Sequence, residues 1–234
     1  MPNPFFRFKQ FTIYQDKCAM KVGTDGVLLG VTADVTQAAS ILDIGTGTGL
    51  IALMLAQRNS KAHIDAIEID GDAARQAQEN VNSSPFTHIR VIATSLQAYT
   101  TQQPYQLIVS NPPYFVDGLK TPNAQRTMAR HTDSLSFEEL LQGVDRLLHE
   151  EGKFWVILPH DQMTHFCSTA THYRLHCYKK IHVYPRADKG AKRIIMGFTR
   201  TFTPCIEEDL IIEGDQRHTL SPAFAKLTHP FYLD

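Results

Sequence analysis

The hydrophobic positions of the chain form short apolar runs that alternate with longer stretches of helical periodicity. Runs of four to eight apolar residues predict buried strands, and apolar residues three or four positions apart predict helices. In the first half of the chain, strands are expected at 40–44, 62–69, 89–93 and 107–110. The helices between them are expected at 50–58 and 71–82. Because strands alternate with helices, a mostly parallel sheet is the economical topology.

The second half of the chain continues this alternation. Further strands are expected at 154–158, 175–184 and 194–203, which makes seven in all. A helix is expected from a cap at Ser134 or Ser136 to about residue 149, and another over 161–172. The pattern therefore predicts an α/β fold with a seven-stranded sheet and helices on both of its faces.

The first 35 residues precede this alternation. Aromatic and apolar side chains at alternate positions from Phe6 to Tyr14 predict a small hairpin or an extended arm, which we expect to close an edge of the core. A helix capped by Thr24 or Asp25 is then expected to run to about residue 35. The N–H groups at its start could hold a carboxylate, or they could simply be capped.

Length and composition fit a single domain. The 234 residues divide into an arm and first helix at 1–35, a core at 36–205 and an acidic extension at 206–234. The four cysteines include no Cys-x-x-Cys pair, which favours reduced structural thiols in a cytoplasmic protein. Arg7 and Lys9 interrupt the aromatic start, so we expect no signal peptide, and no apolar run is long enough to span a membrane.

Charge is distributed unevenly, although the formal total is only −1. Residues 174–200 carry eight Lys or Arg residues and one acid, whereas residues 201–234 carry six acids and two basic residues. The basic segment favours contact with nucleic acid, or else it forms a solvated sheet edge that resists strand pairing. The 11 histidines show no ligand spacing, so no metal site is expected.

Glycine recurs directly after the first strand of the core. Gly45, Gly47 and Gly49 form a turn that leads into a helix, which is the first half of a nucleotide-binding unit. Glycine there allows the backbone to pass close to a ligand. The next position is Leu50, where a dinucleotide-binding turn needs glycine or alanine, and Asp43 would repel a pyrophosphate. A ligand with a cationic amine suits this turn better.

An acidic residue closes the next strand. Glu68 lies 19 residues after Gly49, where a carboxylate can accept hydrogen bonds from both hydroxyls of a ribose. An acid after a strand is otherwise mostly a helix cap, and Asp70 is expected to take that role here. Ser95 and Leu96 follow the third strand, where an adenine ring could lie against backbone amides.

The fourth strand stops at Asn111-Pro112-Pro113-Tyr114-Phe115. Proline has a fixed φ and no N–H, so two prolines end the strand in a stiff corner. The Asn111 side chain and the Pro112 carbonyl can each accept one N–H of a planar NH₂ group, while Tyr114 stacks on the attached ring. The alternative interpretation is a turn that merely closes a strand.

These motifs together resemble a known group of enzymes. Residues 43–49 are similar to the S-adenosylmethionine loop of Rossmann-like class I methyltransferases, and Glu68 with the Asn-Pro-Pro-Tyr corner resembles those that act on amino groups. Residues 21–30, 129–131 and 191–193 are similar to the bacterial family that methylates the exocyclic amine of adenosine 37 in a valine tRNA. The resemblance implies an antiparallel last strand, S-adenosylmethionine as cofactor and tRNA as substrate. We expect a cytoplasmic monomer.

The resemblance also assigns residues to roles. The corner residues that would act on the amine are Asn111, Pro112, Pro113 and Tyr114. The cofactor would contact Lys21, Thr24, Asp25, Asp43, Gly45, Gly47, Gly49, Glu68, Ser95, Leu96 and Asn111. The RNA would contact Tyr114, Phe115, Arg130, His131, Arg186, Lys189, Lys192 and Arg193. Ser95 is a departure, because many relatives carry an Asp there that contacts the amine of the cofactor's adenine.

Three alternatives stay open. A protein glutamine would offer the corner the same two N–H groups, but glutamine methyltransferases of this kind carry a helical domain ahead of the core that we do not expect here. A methyltransferase of the guanine 2-amino group in ribosomal RNA is the second, and its best-known examples are longer chains with a duplicated domain. A non-catalytic RNA-binding module is the third, and it would not need the intact glycine turn, Glu68 and the corner.

Overall fold

The alternating pattern folds into a central sheet covered by helices. The computed structural model describes residues 3–18, 21–113, 135–214, 216 and 219–233. Within these residues the strands are β1 (Phe5–Arg7), β2 (Thr12–Tyr14), β3 (Ser40–Ile44), β4 (His63–Glu68), β5 (Ile89–Ala93), β6 (Tyr105–Ser110), β7 (Leu148–Pro159), β8 (His176–Tyr184), β9 (Arg193–Thr199) and β10 (Ile206–Ile211). The helices are α1 (Thr24–Thr32), α2 (Leu50–Arg58), α3 (Gly71–Asn82), α4 (Phe137–Leu147), α5 (Met163–Thr171) and α6 (Pro222–Thr228).

Eight strands form the central sheet, in the order β10-β8-β9-β7-β6-β3-β4-β5. The five strands from β7 to β5 run parallel, and β9 is antiparallel to both β7 and β8. The predicted α/β class and the antiparallel strand are therefore confirmed. The predicted count of seven strands is wrong, because β10 pairs in parallel with β8 and adds an eighth. Three consecutive acids, Glu207 to Asp209, hide this strand from a search for apolar runs.

Apolar side chains cover both faces of the sheet, as expected for parallel strands. On one face α1 and α2 pack against β3, β4 and β7, and their fully buried residues include Leu28 and Leu53. On the other face α4 and α5 contribute Leu141 and Phe166, which pack with Phe154 of β7. None of the helices in the described part of the chain is long and apolar enough to span a membrane.

The parallel strands bring their carboxyl ends to one edge of the sheet. Ile44 of β3 pairs with Ser110 of β6 on one side and with Ile67 of β4 on the other. Glu68 pairs in turn with Ala93 of β5. The strand order reverses between β3 and β6, and in open α/β sheets ligands bind outside the carboxyl ends at such a point.

The aromatic segment at the start of the chain forms the predicted hairpin, β1 paired with β2. Asn80 of α3 is fully buried and joins this hairpin to the glycine turn. Its Oδ1 accepts a hydrogen bond from the Tyr14 N–H at 2.9 Å. Its Nδ2 donates to the Tyr14 carbonyl at 2.9 Å and to the Thr48 carbonyl at 2.8 Å. One side chain therefore satisfies three backbone groups from two segments.

Replacing this side chain tests the link. We expect Asn80→Ala to lower the free energy of unfolding by about 1–3 kcal/mol, because buried backbone groups lose their partners. Asn82→Ala is the matched control, since Asn82 is exposed on the same helix and should change the value by less than about 0.5 kcal/mol. Urea unfolding measures both. Equal losses in the two variants would contradict the role of Asn80.

Candidate active site

A cavity of about 490 Å³ lies at the carboxyl edge of the sheet, where the ends of β3, β4, β5 and β6 meet the start of α4. Eight of the predicted site residues line it: Gly45, Gly47, Glu68, Ser95, Leu96, Asn111, Pro112 and Pro113. Five others that the resemblance assigned to the cofactor are absent from its described wall: Lys21, Thr24, Asp25, Asp43 and Gly49. The fold thus brings the glycine turn, the acid and the proline corner to one place.

Backbone hydrogen bonds shape the glycine turn. The Gly45 and Thr46 N–H groups donate to the Ile67 carbonyl at 3.0 and 3.1 Å. The Gly47 N–H donates to Glu68 Oε2 at 2.8 Å. Gly45 and Gly47 have φ values of 71° and 56°, in the left-handed region that favours glycine. A Cβ at either position would meet no atom within 4 Å, so this part of the turn leaves open space at the cavity.

Gly49 differs from the other two glycines of the turn, because it is absent from the described wall of the cavity. It is the N-cap of α2, with φ of 82°. A Cβ there would lie 3.5 Å from Cα of Ala77 in α3. A Cβ would fit there as an ordinary contact, so it is the left-handed φ at the start of α2 that favours glycine at this position.

The end of β4 supplies a fixed carboxylate and an apolar side chain. Glu68 Oε1 accepts a hydrogen bond from the Asp70 N–H at 3.0 Å, so backbone donors hold both of its oxygens. Asp70 caps α3 as predicted, with Oδ1 accepting from the backbone N–H groups of residues 72 and 73. Ile69 is 55% exposed and lines the same wall. Its position directly after the acid, at the end of the strand, could have predicted a place in the site, but Ile69 was not among the predicted site residues.

Other wall residues come from elements that are distant along the chain. The lining residues that were not predicted are Cys18, Ile44, Ile67, Ile69, Asp70, Ala73, Thr94, Gln97, Ser110, Leu135 and Glu139. Glu139 belongs to the first turn of α4, whose cap at Ser136 was expected from the sequence. The sequence predicted this helix but not where it packs relative to the cavity, so nothing in the sequence indicated that Glu139 lines the cavity.

The proline corner begins directly after β6. The Ser110 hydroxyl donates to the Ile44 carbonyl at 3.1 Å, which ties the end of β6 to the end of β3. Asn111 is half-buried, Pro112 is buried and Pro113 is exposed. The corner therefore starts from an anchored strand end, and the amide side chain stands at the cavity.

Four residues that the resemblance assigned to the site lie outside the described residues. They are Tyr114, Phe115, Arg130 and His131. Their assignment to the base and the RNA stays a prediction.

The start of α1 differs from the prediction. Its N-cap is Gly23, so neither Thr24 nor Asp25 caps the helix, which ends at Thr32. Asp25 Oδ2 instead accepts a hydrogen bond from Arg193 Nε at 2.9 Å. A residue assigned to the cofactor thus pairs with one assigned to RNA, and the pair connects α1 to the start of β9.

Acidic partners occupy part of the basic segment. Lys179 pairs with Glu208 of β10, and Lys180 pairs with Glu207 at 2.8 Å. Arg186, Lys189 and Lys192 are exposed in the hairpin between β8 and β9. This hairpin lies at the carboxyl end of β7, which is the end of the sheet where the cavity lies. In this hairpin Asp188 pairs with Arg186 at 3.2 Å and lies 3.9 Å from Lys189 Nζ. Acidic side chains therefore neutralise part of the positive charge of this segment, and exposed basic residues remain in the hairpin.

Comparison with known proteins identifies the family. The methyltransferase small domain family matches residues 19–172. The chain belongs to this family. It is also 49% identical over 235 residues to a Phocaeicola vulgatus protein named tRNA1(Val) (adenine(37)-N6)-methyltransferase, and the match spans all of both chains. The family recognised from the sequence motifs is confirmed.

Solved structures show the same methyltransferase fold. A predicted O-methyltransferase of Agrobacterium tumefaciens matches with a TM-score of 0.70 at 18% identity, over 88% of this chain and 96% of that one. The 16S rRNA N2 G1207 methyltransferase of Thermus thermophilus, in complex with AdoMet and guanosine, matches with a TM-score of 0.59 at 16% identity. That match covers 84% of this chain and 50% of the other.

In this methyltransferase Asp43 lies beneath the glycine turn. It is fully buried, and its Oδ2 accepts a hydrogen bond from the Thr46 hydroxyl at 2.6 Å. Burial raises the pKa of Asp43 to about 7, and the nearby Glu68 carboxylate also raises it, although the Thr46 hydroxyl opposes the shift. The folded protein therefore holds a proton on Asp43 that the unfolded chain releases near pH 4.

This linkage predicts a pH-dependent effect of Asp43→Asn. Because the pKa of Asp43 is higher in the folded protein than in the unfolded chain, protonation of Asp43 stabilises the fold fully below about pH 4. This stabilisation is lost as the pH rises to 7. The amide does not titrate, so the stability of the variant relative to the parent should rise between pH 4 and 7, by at most about 4 kcal/mol.

Urea unfolding at a series of pH values, without ligand, measures the difference. Asp161→Asn is the control, because it makes the same chemical change at an exposed position. A difference for Asp43→Asn that stays constant would contradict the protonated state of Asp43.

Proposed function

We propose that this methyltransferase transfers a methyl group from S-adenosylmethionine to the 6-amino group of adenosine 37 in tRNA1(Val). The observation that carries the proposal is the meeting of three elements in one cavity, namely the glycine turn, Glu68 and the Asn-Pro-Pro corner. The full-length relative of Phocaeicola vulgatus, named for that reaction, supports the choice of substrate. A tRNA substrate also supports a cytoplasmic location.

Three features of the cavity support S-adenosylmethionine as the cofactor. The open space at Gly45 and Gly47 allows a ligand to approach the backbone. Glu68 is a fixed acceptor for ribose hydroxyls, and Ile69 offers an apolar surface to a purine ring. When bound, S-adenosylmethionine supplies a methyl group that is already activated on a sulfonium. Asp43, buried below the turn, would support its shape through Thr46.

The proline corner would orient the amine. An adenine NH₂ is a weak nucleophile, because its lone pair is delocalised into the ring. Asn111 Oδ1 and the Pro112 carbonyl would accept both N–H groups and favour a pyramidal nitrogen with a localised lone pair. These bonds strengthen as positive charge develops on nitrogen, so they would act mainly on the transition state. After the transfer, the methylated nitrogen would release one proton to water. Pro113 would keep the corner stiff, and Tyr114 would stack on the base.

The exposed basic residues of the β8–β9 hairpin would contact the RNA backbone. Arg186, Lys189 and Lys192 lie at the cavity edge of the sheet and offer charge to phosphates. A base that enters the cavity must leave its stacked position, and phosphate contacts would hold the RNA while it does so. Arg193, which pairs with Asp25, would position this hairpin against α1.

Methyl transfer to unmodified tRNA transcripts tests the proposal. We expect labelled methyl groups to enter tRNA1(Val) with adenosine at position 37, and not the same transcript with guanosine there. Ribosomal RNA and a release-factor protein serve as competing substrates. Faster labelling of either one, or equal labelling of both transcripts, would overturn the assignment.

Removal of one acceptor tests the corner. We expect Asn111→Ala to lower kcat by about 10²–10³-fold, because a preorganised group for the transition state is lost. Binding of S-adenosylhomocysteine, measured by calorimetry, should weaken far less than kcat, because Asn111 is one of several residues assigned to the cofactor, and it thereby reports an intact cavity. A variant with full turnover would refute the role of Asn111.

Charge removal tests the RNA surface. We expect Lys189→Ala with Lys192→Ala to weaken tRNA binding and to reduce the slope of log affinity against log salt by about 1 to 2. Lys61→Ala is the control, because Lys61 is exposed just before β4, at the opposite edge of the sheet. An unchanged slope in the double variant would exclude this surface.

A further inference from the structure

Helix α4 lies directly on the loop that follows β5. Gly143 permits this contact, because a Cβ there would come within 2.5 Å of the Leu96 side chain. Arg146, on the next turn, donates from Nη1 to the Tyr99 carbonyl at 2.6 Å and from Nη2 to the Leu96 carbonyl at 2.8 Å. One face of α4 is therefore fixed against residues 95–99.

Glu139 shares that face, because it lies four residues before Gly143. Its carboxylate lines the cavity beside Ser95, Leu96 and Gln97. Glu139 Oε2 accepts a hydrogen bond from the Ser136 N–H at 2.8 Å in a capping box. Oε1 accepts from Gln97 Nε2 at 3.4 Å. The contact between α4 and the loop thus brings a well-oriented carboxylate to the wall after β5.

The charge on Glu139 is maintained. The Ser136 N–H, which donates to the carboxylate, holds the pKa of Glu139 below its ordinary value. An ionised carboxylate only accepts hydrogen bonds, so it matches a ligand group that only donates. A purine amine is such a group, whereas the oxygen of a 6-oxo purine is not.

The neighbouring polar groups of this wall differ from Glu139 in charge or in place. The Ser95 hydroxyl, which accepts a hydrogen bond from the Ala98 N–H at 3.2 Å, is neutral. Glu68 and Asp70 belong to the end of β4 and the start of α3, where Glu68 holds the Gly47 N–H and Asp70 caps α3. Among the described wall residues, Glu139 is the carboxylate that stands beside the Ser95–Gln97 loop.

We propose that Glu139 accepts a hydrogen bond from the 6-amino group of the cofactor's adenine, and so makes the cavity select adenine over a 6-oxo purine. The inference rests on the proposed use of S-adenosylmethionine. It assigns to α4 the acceptor role that the resemblance placed at position 95, where this chain has serine.

Two ligands that differ at C6 of the purine, and with it in whether N1 carries a proton, test the inference. We would measure the dissociation constants of S-adenosylhomocysteine and S-inosylhomocysteine by calorimetry for the parent and for Glu139→Gln. The parent should prefer the adenine ligand by roughly 10- to 100-fold, which is the range for a hydrogen bond to a charged group. In Glu139→Gln the side-chain oxygen can keep the capping box, which leaves an NH₂ donor in place of the second carboxylate oxygen. The preference should then fall at least about tenfold or reverse.

Glu138→Gln is the matched control, because Glu138 is an exposed neighbour on α4 that is absent from the described wall. The ratio of the two dissociation constants for Glu138→Gln should equal that of the parent. If Glu139→Gln fails to unfold cooperatively, Glu139→Asp replaces it, since the shorter carboxylate should also weaken adenine binding selectively.

The outcomes separate the two proposals. Binding of the adenine ligand with an unchanged preference in the Glu139 variant would overturn the role of Glu139 and leave the cofactor assignment intact. A parent protein that binds neither ligand would overturn the cofactor assignment itself, and the role of Glu139 with it.

Discussion

The hydrogen bond from the Gly47 N–H to the Glu68 carboxylate joins the two halves of the cavity. Glycine in the left-handed region turns this N–H toward the neighbouring strand, and the parallel register of β3 and β4 brings the carboxylate to meet it. The two preceding N–H groups bind the Ile67 carbonyl on the same strand. The glycine turn and the end of β4 are therefore already ordered relative to each other, and a ligand that contacts the turn meets a carboxylate that is already oriented.

Side-chain hydrogen bonds from three surrounding elements hold the walls of the cavity in place. Asn80 connects the turn to the hairpin at the start of the chain, and the Ser110 hydroxyl connects β3 to the proline corner. Arg146 fixes α4 to the loop after β5. Each of these side chains satisfies backbone groups, so the cavity walls are joined by polar contacts and do not depend on the apolar cores alone.

The sequence predicted what neighbouring residues determine. The glycine turn, the Asp70 cap and most strand positions depend on a few adjacent side chains, and the structure confirms them. The burial of Asp43, the pairing of Asp25 with Arg193 and the place of Glu139 depend on contacts between distant segments. Periodicity carries no information on such contacts. Charge counts did not show the pairing of Lys179 and Lys180 with β10 for the same reason, since these lysines and their acidic partners are separated along the chain.

The acidic strand β10 has a consequence for how this protein meets copies of itself. A sheet edge exposes unpaired backbone groups, and a flat apolar edge can recruit a second sheet into an aggregate. Here Glu207, Glu208 and Asp209 line the outermost strand. Charged side chains therefore follow this strand on both faces of the sheet. The same residues that pair with Lys179 and Lys180 thus give the edge a charged border in place of the flat apolar row that favours edge-to-edge pairing.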